Sequence, residues 1–231
     1  MKKLFILIPT FILLTLNGYN QNWWLEINAD STRGTFLNTR DNTIYKWVKI
    51  GDQVWMAENL KTTHFGNGDS ITKVSDDNQW GNLSTGAYCI YLNEYSNAIT
   101  YGFLYNWFAV ADSRKICPTG FHIPDFTEWQ KVIDFLGGKK RAGGKMKDTG
   151  LTNWTSPNAM ATNESGFTAI PGGFRNEFGR YVLINNFALF WSGPKPNKSK
   201  VWQWDLYYNL GYILKYKASK LEGCSVRCVK N

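Results

Sequence analysis

The sequence predicts an α+β domain built from two helices, short antiparallel strands and long loops. Three observations lead there. The chain of 231 residues holds 11 Trp, 12 Tyr, 14 Phe and 21 Gly, the make-up of a compact, loop-rich domain with many short strands. Helical signals are confined to two stretches, Thr100 to Asp112 and Asp125 to Leu136. Two cysteine-bearing segments stand far apart: Ile116-Cys117-Pro118-Thr119-Gly120-Phe121-His122-Ile123-Pro124, which runs into Glu128-Trp129, and Gly223-Cys224-Ser225-Val226-Arg227-Cys228-Val229. The first reads as a turn feeding a capped helix and the second as a last strand.

At the start, Met1-Lys2-Lys3 precedes a nearly continuous apolar run from Leu4 to Leu16, and Asn17 to Gln21 form a polar exit. That is the pattern of a secretory signal peptide, and the run is shorter than the roughly 20 residues of a membrane span. Residues 1–20 therefore read as a signal peptide cleaved near Gly18 or Asn20, residues 21–33 as a short arm and residues 34–231 as one domain. The first cysteine after the apolar run is Cys89, so lipid anchoring of the lipoprotein kind is not expected. The expected location is secreted or in the cell envelope, periplasm or outer surface, with no transmembrane segment after cleavage.

Tyr45 to Ile50 and Gln53 to Ala57 flank Gly51-Asp52, a hairpin signal with glycine first, as a type II′ turn wants. Asn59 to Asn82 is polar and rich in glycine, hence loop, and Ala87 to Leu92 is a strand candidate. Thr100 to Asp112 is apolar on most sides and reads as a buried helix with Thr100 as N-cap. The second helix has Asp125 at its cap and Glu128 three residues on, as in a capping box. Its Trp129, Val132, Ile133 and Leu136 form one apolar face, and Gly137-Gly138 ends it. Gly143-Gly144 then leads into loop chemistry. Phe167 to Ile170 and Phe187 to Trp191 are short strand candidates. Ser192 to Lys200, with two prolines and three lysines, is an exposed loop. Val201 to Tyr208 alternates: Trp202, Trp204, Leu206 and Tyr208 share one face, Gln203, Asp205 and Tyr207 the other. Tyr212 to Tyr216 can pair with it. In the last strand Cys224, Val226 and Cys228 point one way, Ser225 and Arg227 the other, with Arg227 read as a surface or salt-bridging residue.

Without residues 1–20, which carry two lysines and no acid, the formal charge falls from +8 to +6. The basic residues are scattered apart from Lys139-Lys140-Arg141 and the Lys195, Lys198, Lys200 loop. A nucleic-acid partner would call for a dense basic face, so none is expected. Cys89, Cys117, Cys224 and Cys228 are an even count that allows three disulfide pairings in an exported chain. They show no zinc spacing. Asp76-Asp77-Asn78 offers oxygen ligands, but such a run is ordinarily a solvated turn. No catalytic set of serine, histidine and acid has motif context, and no metal or cofactor is expected. His122 reads as a buried, hydrogen-bonded histidine beside the helix start.

Ordered matches run through most of the chain: Val48 to Leu60, Tyr101-Gly102-Phe103-Leu104-Tyr105-Asn106-Trp107, Cys117 through Trp129, Gly144-Lys145-Met146-Lys147, Trp154 to Asn158, Thr162 to Ala169, Pro171 to Arg175, Phe190-Trp191-Ser192 and Ser225 to Val229. On these the chain resembles the Fibrobacter succinogenes major paralogous domain family, found widely in exported proteins of Fibrobacter and Bacteroidota. That resemblance implies a C-type-lectin-like fold related to the branch of formylglycine-generating enzymes. It implies a disulfide between Cys117 and Cys228, with Cys89 and Cys224 left over and their pairing open. Two departures from the family lie near the C-terminal strands: Cys224 replaces a usual aromatic, and Pro194 and Pro196 enter the Ser192 to Lys200 loop.

The expected function is an exported, non-catalytic binding module for a glycan or a cell-surface protein. Its ligand surface is expected at Lys195, Lys198 and Lys200, at the outward Gln203, Asp205 and Tyr207, and at Trp204 as a ring for stacking. A cationic loop stiffened by prolines beside an aromatic face suits an anionic or hydroxyl-rich partner. The calcium-dependent sugar motifs Glu-Pro-Asn and Trp-Asn-Asp are absent. The alternative is an oxidase-like enzyme using Cys224 and Cys228 to hold Cu(I), as the formylglycine branch does. There the spacing is four intervening residues, and here it is three.

Overall fold

The structure, a computed structural model, describes residues 31–193 and 201–231. The expected signal peptide, most of the arm, and Lys195, Lys198 and Lys200 lie outside the described residues. Strands β1 (Arg33–Asn38), β2 (Thr43–Ile50) and β3 (Gln53–Met56) form a meander. Then come β4 (Thr72–Lys73), α1 (Asp77–Gly81), β5 (Ala87–Cys89), a 3₁₀ turn (Tyr91–Asn93), α2 (Tyr95–Tyr101), β6 (Leu104–Tyr105) and α3 (Trp107–Val110). After β7 (Phe121–His122) lie α4 (Phe126–Phe135) and α5 (Lys139–Met146). The chain ends with β8 (Phe174–Arg175), β9 (Tyr181–Val182), β10 (Phe187–Ser192), β11 (Val201–Tyr207), β12 (Ile213–Ala218) and β13 (Val229–Lys230).

The fold is mixed α/β, mostly small antiparallel sheets. The largest has the order β1-β2-β3-β13-β7, and three others run β10-β11-β12, β4-β5-β6 and β8-β9. Of the strand pairs among the described residues, β4 with β5 alone runs in parallel, beside single parallel bridges such as Phe190 with Ser225. Five short helices stand among the described residues where the sequence suggested two. None is long and apolar enough to cross a membrane.

The hairpin forms as expected, with Ile50 opposite Gln53 and Gly51 at φ 62°. The helix at Asp125 also forms. Glu128 N–H donates to Asp125 Oδ1 at 2.8 Å, and Asp125 N–H donates to Glu128 Oε2 at 2.8 Å. Trp129 is fully buried, 4.8 Å from the ring of Trp55 and 5.9 Å from those of Phe167 and Phe190.

The single helix expected over Thr100 to Asp112 is not there. Gly102, at φ 74°, ends α2, and a side chain on it would meet the Leu60 carbonyl at 2.9 Å. The chain then pairs as β6 with β5, and Asn106 restarts a helix by accepting from Ala109 N–H. An all-round apolar stretch fits a buried strand as well as a buried helix, so periodicity could not expose the break. Conversely, α5 covers the Gly143-Gly144 pair expected to lead into loop. The glycines let the helix touch backbone: a Cβ on Gly143 would strike Tyr212 O and one on Gly144 would strike Met160 O. The strand expected at Phe167 to Ile170 is reduced to one bridge between Lys147 and Ala169.

Cys117 and Cys228 are joined by a disulfide. Cys89 and Cys224 are buried free thiols. Cys89 opposes Leu104 and Cys224 opposes Tyr105. Neighbours in a strand point to opposite faces, so the two thiols lie on opposite sides of β6 and do not meet. The expected alternation of the last strand does not sort inside from outside. Gly223 through Val229 are all buried, and only Val229–Lys230 pairs as a strand.

Candidate functional site

The largest sheet leaves one side of its first hairpin open. Leu37 faces Ile44 and Thr35 faces Lys46 across the β1–β2 pair, and Ile44 is 64% exposed. Helix α2 lies beside this edge and presents Tyr95, 72% exposed, and Ile99 one turn later. Between them sits a depression of about 480 Å³ lined by Asn42, Thr43, Ile44, Lys61, Tyr95 and Ile99, among others. A second, of about 220 Å³, shares Lys61 and Ile99 with the first and adds Lys46, Glu58, Asn59, Asp148, Asn153, Thr168 and Arg227. A third, of about 470 Å³, shares Lys46, Ala57 and Thr168 with the second and continues past Arg33, Trp47, Lys49 and Glu164. The three depressions adjoin through these common residues and are taken together as one groove.

Arg227 forms part of the buried wall of the middle depression, 1% exposed. Its Nη1 donates to Met56 O at 3.1 Å and Phe167 O at 2.7 Å. Nη2 donates to Thr168 O at 3.0 Å, and Nε donates to Asn59 Oδ1 at 2.6 Å. The rings of Phe167 and Phe190 stand 4.6 and 5.6 Å from the guanidinium carbon. Asn59 is held by its own donors, to Tyr101 O and Ser225 Oγ. Arg227 thus clamps the end of β3, the 167–168 turn and the last segment together. No carboxylate pairs with it among the described residues. Burial lowers its pKa to about 9, with the charge of Glu58 pulling the other way. The sequence reading put Arg227 on an outer polar face; the structure puts it inside, because other segments cover both faces of its segment.

The groove's acids are engaged. Glu58 accepts from Lys46 N–H at 2.7 Å. Asp148 accepts from Thr149 N–H and from Asn153 Nδ2. Glu164 pairs with Lys145 at 3.2 Å. Arg33, Lys46, Lys49 and Lys61 have no ion-pair partner among the described residues.

The expected ligand face on β11 does not open outward. Trp204 is fully buried and stacks near Phe126 and Trp129 at 5.9 and 6.0 Å. Gln203 and Asp205 are 5% and 4% exposed. As the middle strand of its sheet, β11 has core on both sides, with Val201 in one cluster and Leu206 in the other, and alternation alone cannot reveal that. Asp205 Oδ2 lies 3.5 Å from Gln203 Nε2 and from the Tyr207 hydroxyl. Its Oδ1 has no partner, and burial pushes its pKa up to about 8. Tyr207 is half-buried and stacks on Phe187 at 4.2 Å. The Cys224 thiol donates to Gln203 Oε1 at 3.2 Å, and burial raises its pKa.

The smaller expectations divide. Asp76 caps α1 by accepting from Gln79 N–H, and Asp77 pairs with buried Arg175 at 2.9 Å. His122 bonds Glu128 and Asn231 as expected, but it is not buried: its side chain is 40% exposed. Among the described residues no group of three His, Cys, Asp or Glu could hold a metal ion.

Comparison with known families places the chain. The family model described as the Fibrobacter succinogenes major domain matches residues 48–230, so the chain belongs to that family. No curated protein and no solved structure matches it.

Proposed function

We propose that this Fibrobacter succinogenes major domain is an exported, non-catalytic binding module with a C-type-lectin-like fold, and that its groove holds a glycan. The observation that carries the reading is the groove itself. It sets the exposed ring of Tyr95 in line with amide, hydroxyl, carboxylate and lysine side chains. An aromatic ring offers an apolar face to a sugar, and the planar polar groups give orientation by hydrogen bonding. Export is supported by the basic and apolar start of the sequence and by the disulfide, which belongs to oxidising compartments. The lectin-like assignment is supported by the link from the segment before α4 to the last segment of the chain.

The alternative, an oxidase-like enzyme holding Cu(I) at Cys224 and Cys228, requires two thiolates. Cys228 is bonded to Cys117 and the Cys224 thiol is buried, which favours the binding reading. A glycan array on the secreted protein tests it. Binding of one or more glycans is expected, with Tyr95→Ala weakening it about tenfold while the thermal melt is unchanged. Capture of no glycan, or full binding by Tyr95→Ala, counts against the groove as a glycan site. A cell-surface protein then becomes the partner to seek.

A further inference from the structure

The charge of the groove narrows its ligand. Along its length the cations Arg33, Lys46, Lys49 and Lys61 are unpaired among the described residues, whereas the acids are tied to backbone or side-chain donors. At the centre stands Arg227, whose four hydrogen bonds all go to neutral oxygens. A guanidinium has five N–H donors, so one on Nη2 remains beyond the bond to Thr168. Glu58 and Asp148 line the same depression and the charge of Glu58 reaches Arg227, but neither carboxylate hydrogen-bonds the guanidinium, so a buried cation without a contacting counter-ion gains from an anion brought to its remaining donor. Between the cations stand neutral hydrogen-bonding groups, Asn42 and Thr43 at one end and Asn153 and Thr168 in the middle. A run of charge separated by hydroxyl-binding positions is the complement of a sugar chain that carries acid groups.

We propose that the groove binds an acidic polysaccharide, a linear polyuronate, and that Arg227 with Lys46 and Lys61 receives one of its carboxylates in the middle depression. The proposal rests on the reading of the groove as a glycan site and adds the ligand's charge and the residues that read it. Glycan hydroxyls account for the amides and an aromatic platform better than an acidic peptide does. Arg227 already serves the fold as a clamp, and the proposal gives the same side chain a second role through its remaining donor.

The test uses the secreted protein in calorimetric titrations with four probes: oligogalacturonate, the same oligomer with its carboxylates reduced to alcohols, dextran sulfate and polyglutamate. Oligogalacturonate is expected to bind, and carboxyl reduction is expected to weaken it at least about tenfold, the size of a lost charge-assisted hydrogen bond. Lys46→Ala with Lys61→Ala, the first exposed and the second half-buried, should weaken oligogalacturonate about tenfold and flatten its salt dependence. Arg227→Lys keeps the charge and loses the fork. It should weaken oligogalacturonate more than the reduced oligomer, a difference a merely misfolded variant would not show. Equal binding of the reduced oligomer would overturn the proposal and leave the neutral-glycan reading standing. Equal binding of dextran sulfate would overturn it in favour of plain charge attraction, and equal binding of polyglutamate in favour of an acidic peptide. No binding of oligogalacturonate overturns it outright, and the glycan array then decides separately whether the groove takes sugars at all.

Discussion

Asp205 is a carboxyl group held away from water with one oxygen unpartnered. Burial is the first cause of its raised pKa, with the hydrogen bond from Gln203 partly offsetting it. In the unfolded chain such a group titrates near 3.9; in the folded protein it titrates at about 8. Between those values the folded state holds more protons, so the stability contribution falls as pH rises from about 4 to about 8 and is level above that. Asp205→Asn should remove this slope and leave the variant more stable relative to wild type at pH 8 than at pH 5. Denaturant midpoints at the two pH values check it, and parallel midpoints for both proteins would rule the account out. Asp205 and Arg227 also mark where sequence reading stops. Each was assigned to a polar, outward face by alternation, a rule that holds for a strand with one wet side. Their segments are covered on both sides, and that depends on contacts far away in the chain, such as Arg227 with Met56 and Phe167.

Elements written in local chemistry were legible. The α4 cap is a short-range device, and both of its hydrogen bonds are present. Asp125→Ala should cost about 1 kcal/mol by chemical denaturation, and an unchanged midpoint would mean that the cap contributes nothing. The glycines of α5 were not legible as helix, because their purpose is a tertiary contact. Alanine ordinarily favours a helix over glycine by about 1 kcal/mol. At Gly144 the sign reverses, since a Cβ would collide with Met160 O. Gly144→Ala should therefore destabilise by about 1–3 kcal/mol, the range of overpacking; a rise in melting temperature would contradict the close approach. The groove was hidden for a related reason. Its walls come from β1 and β2, α2, the 148–168 stretch and Arg227, and no single window of sequence shows them together.

At the scale of the whole molecule, the disulfide ties residues 111 apart in sequence. The family resemblance pointed to this pair, whereas cysteine counting left three pairings open. Closing a loop of that size restricts the unfolded chain by roughly 4–5 kcal/mol on the chain-entropy account. The Cys117→Ser, Cys228→Ser variant should lose about that much stability, read from the denaturant midpoint and slope together, with a steeper slope as the unfolded chain expands. A shift under about 1 kcal/mol would show that burial around Phe121 and Val226 holds the two segments without the bond. The antiparallel sheets and long loops were readable from turn residues and short apolar runs. Their arrangement into four separate sheets was not, because several joins are single bridges, such as Phe190 with Ser225 and Arg175 with Gly223.

Strand β13 comes last in sequence and sits between β3 and β7, with Val229 paired to both Trp55 and His122. The largest sheet is therefore assembled out of order: one of its inner strands follows all its other strands in the sequence. Until residues 229 and 230 arrive, β3 has an open edge and β7 has no neighbour in the sheet. A growing chain of this kind cannot join β3 to β7 before Val229 has been made.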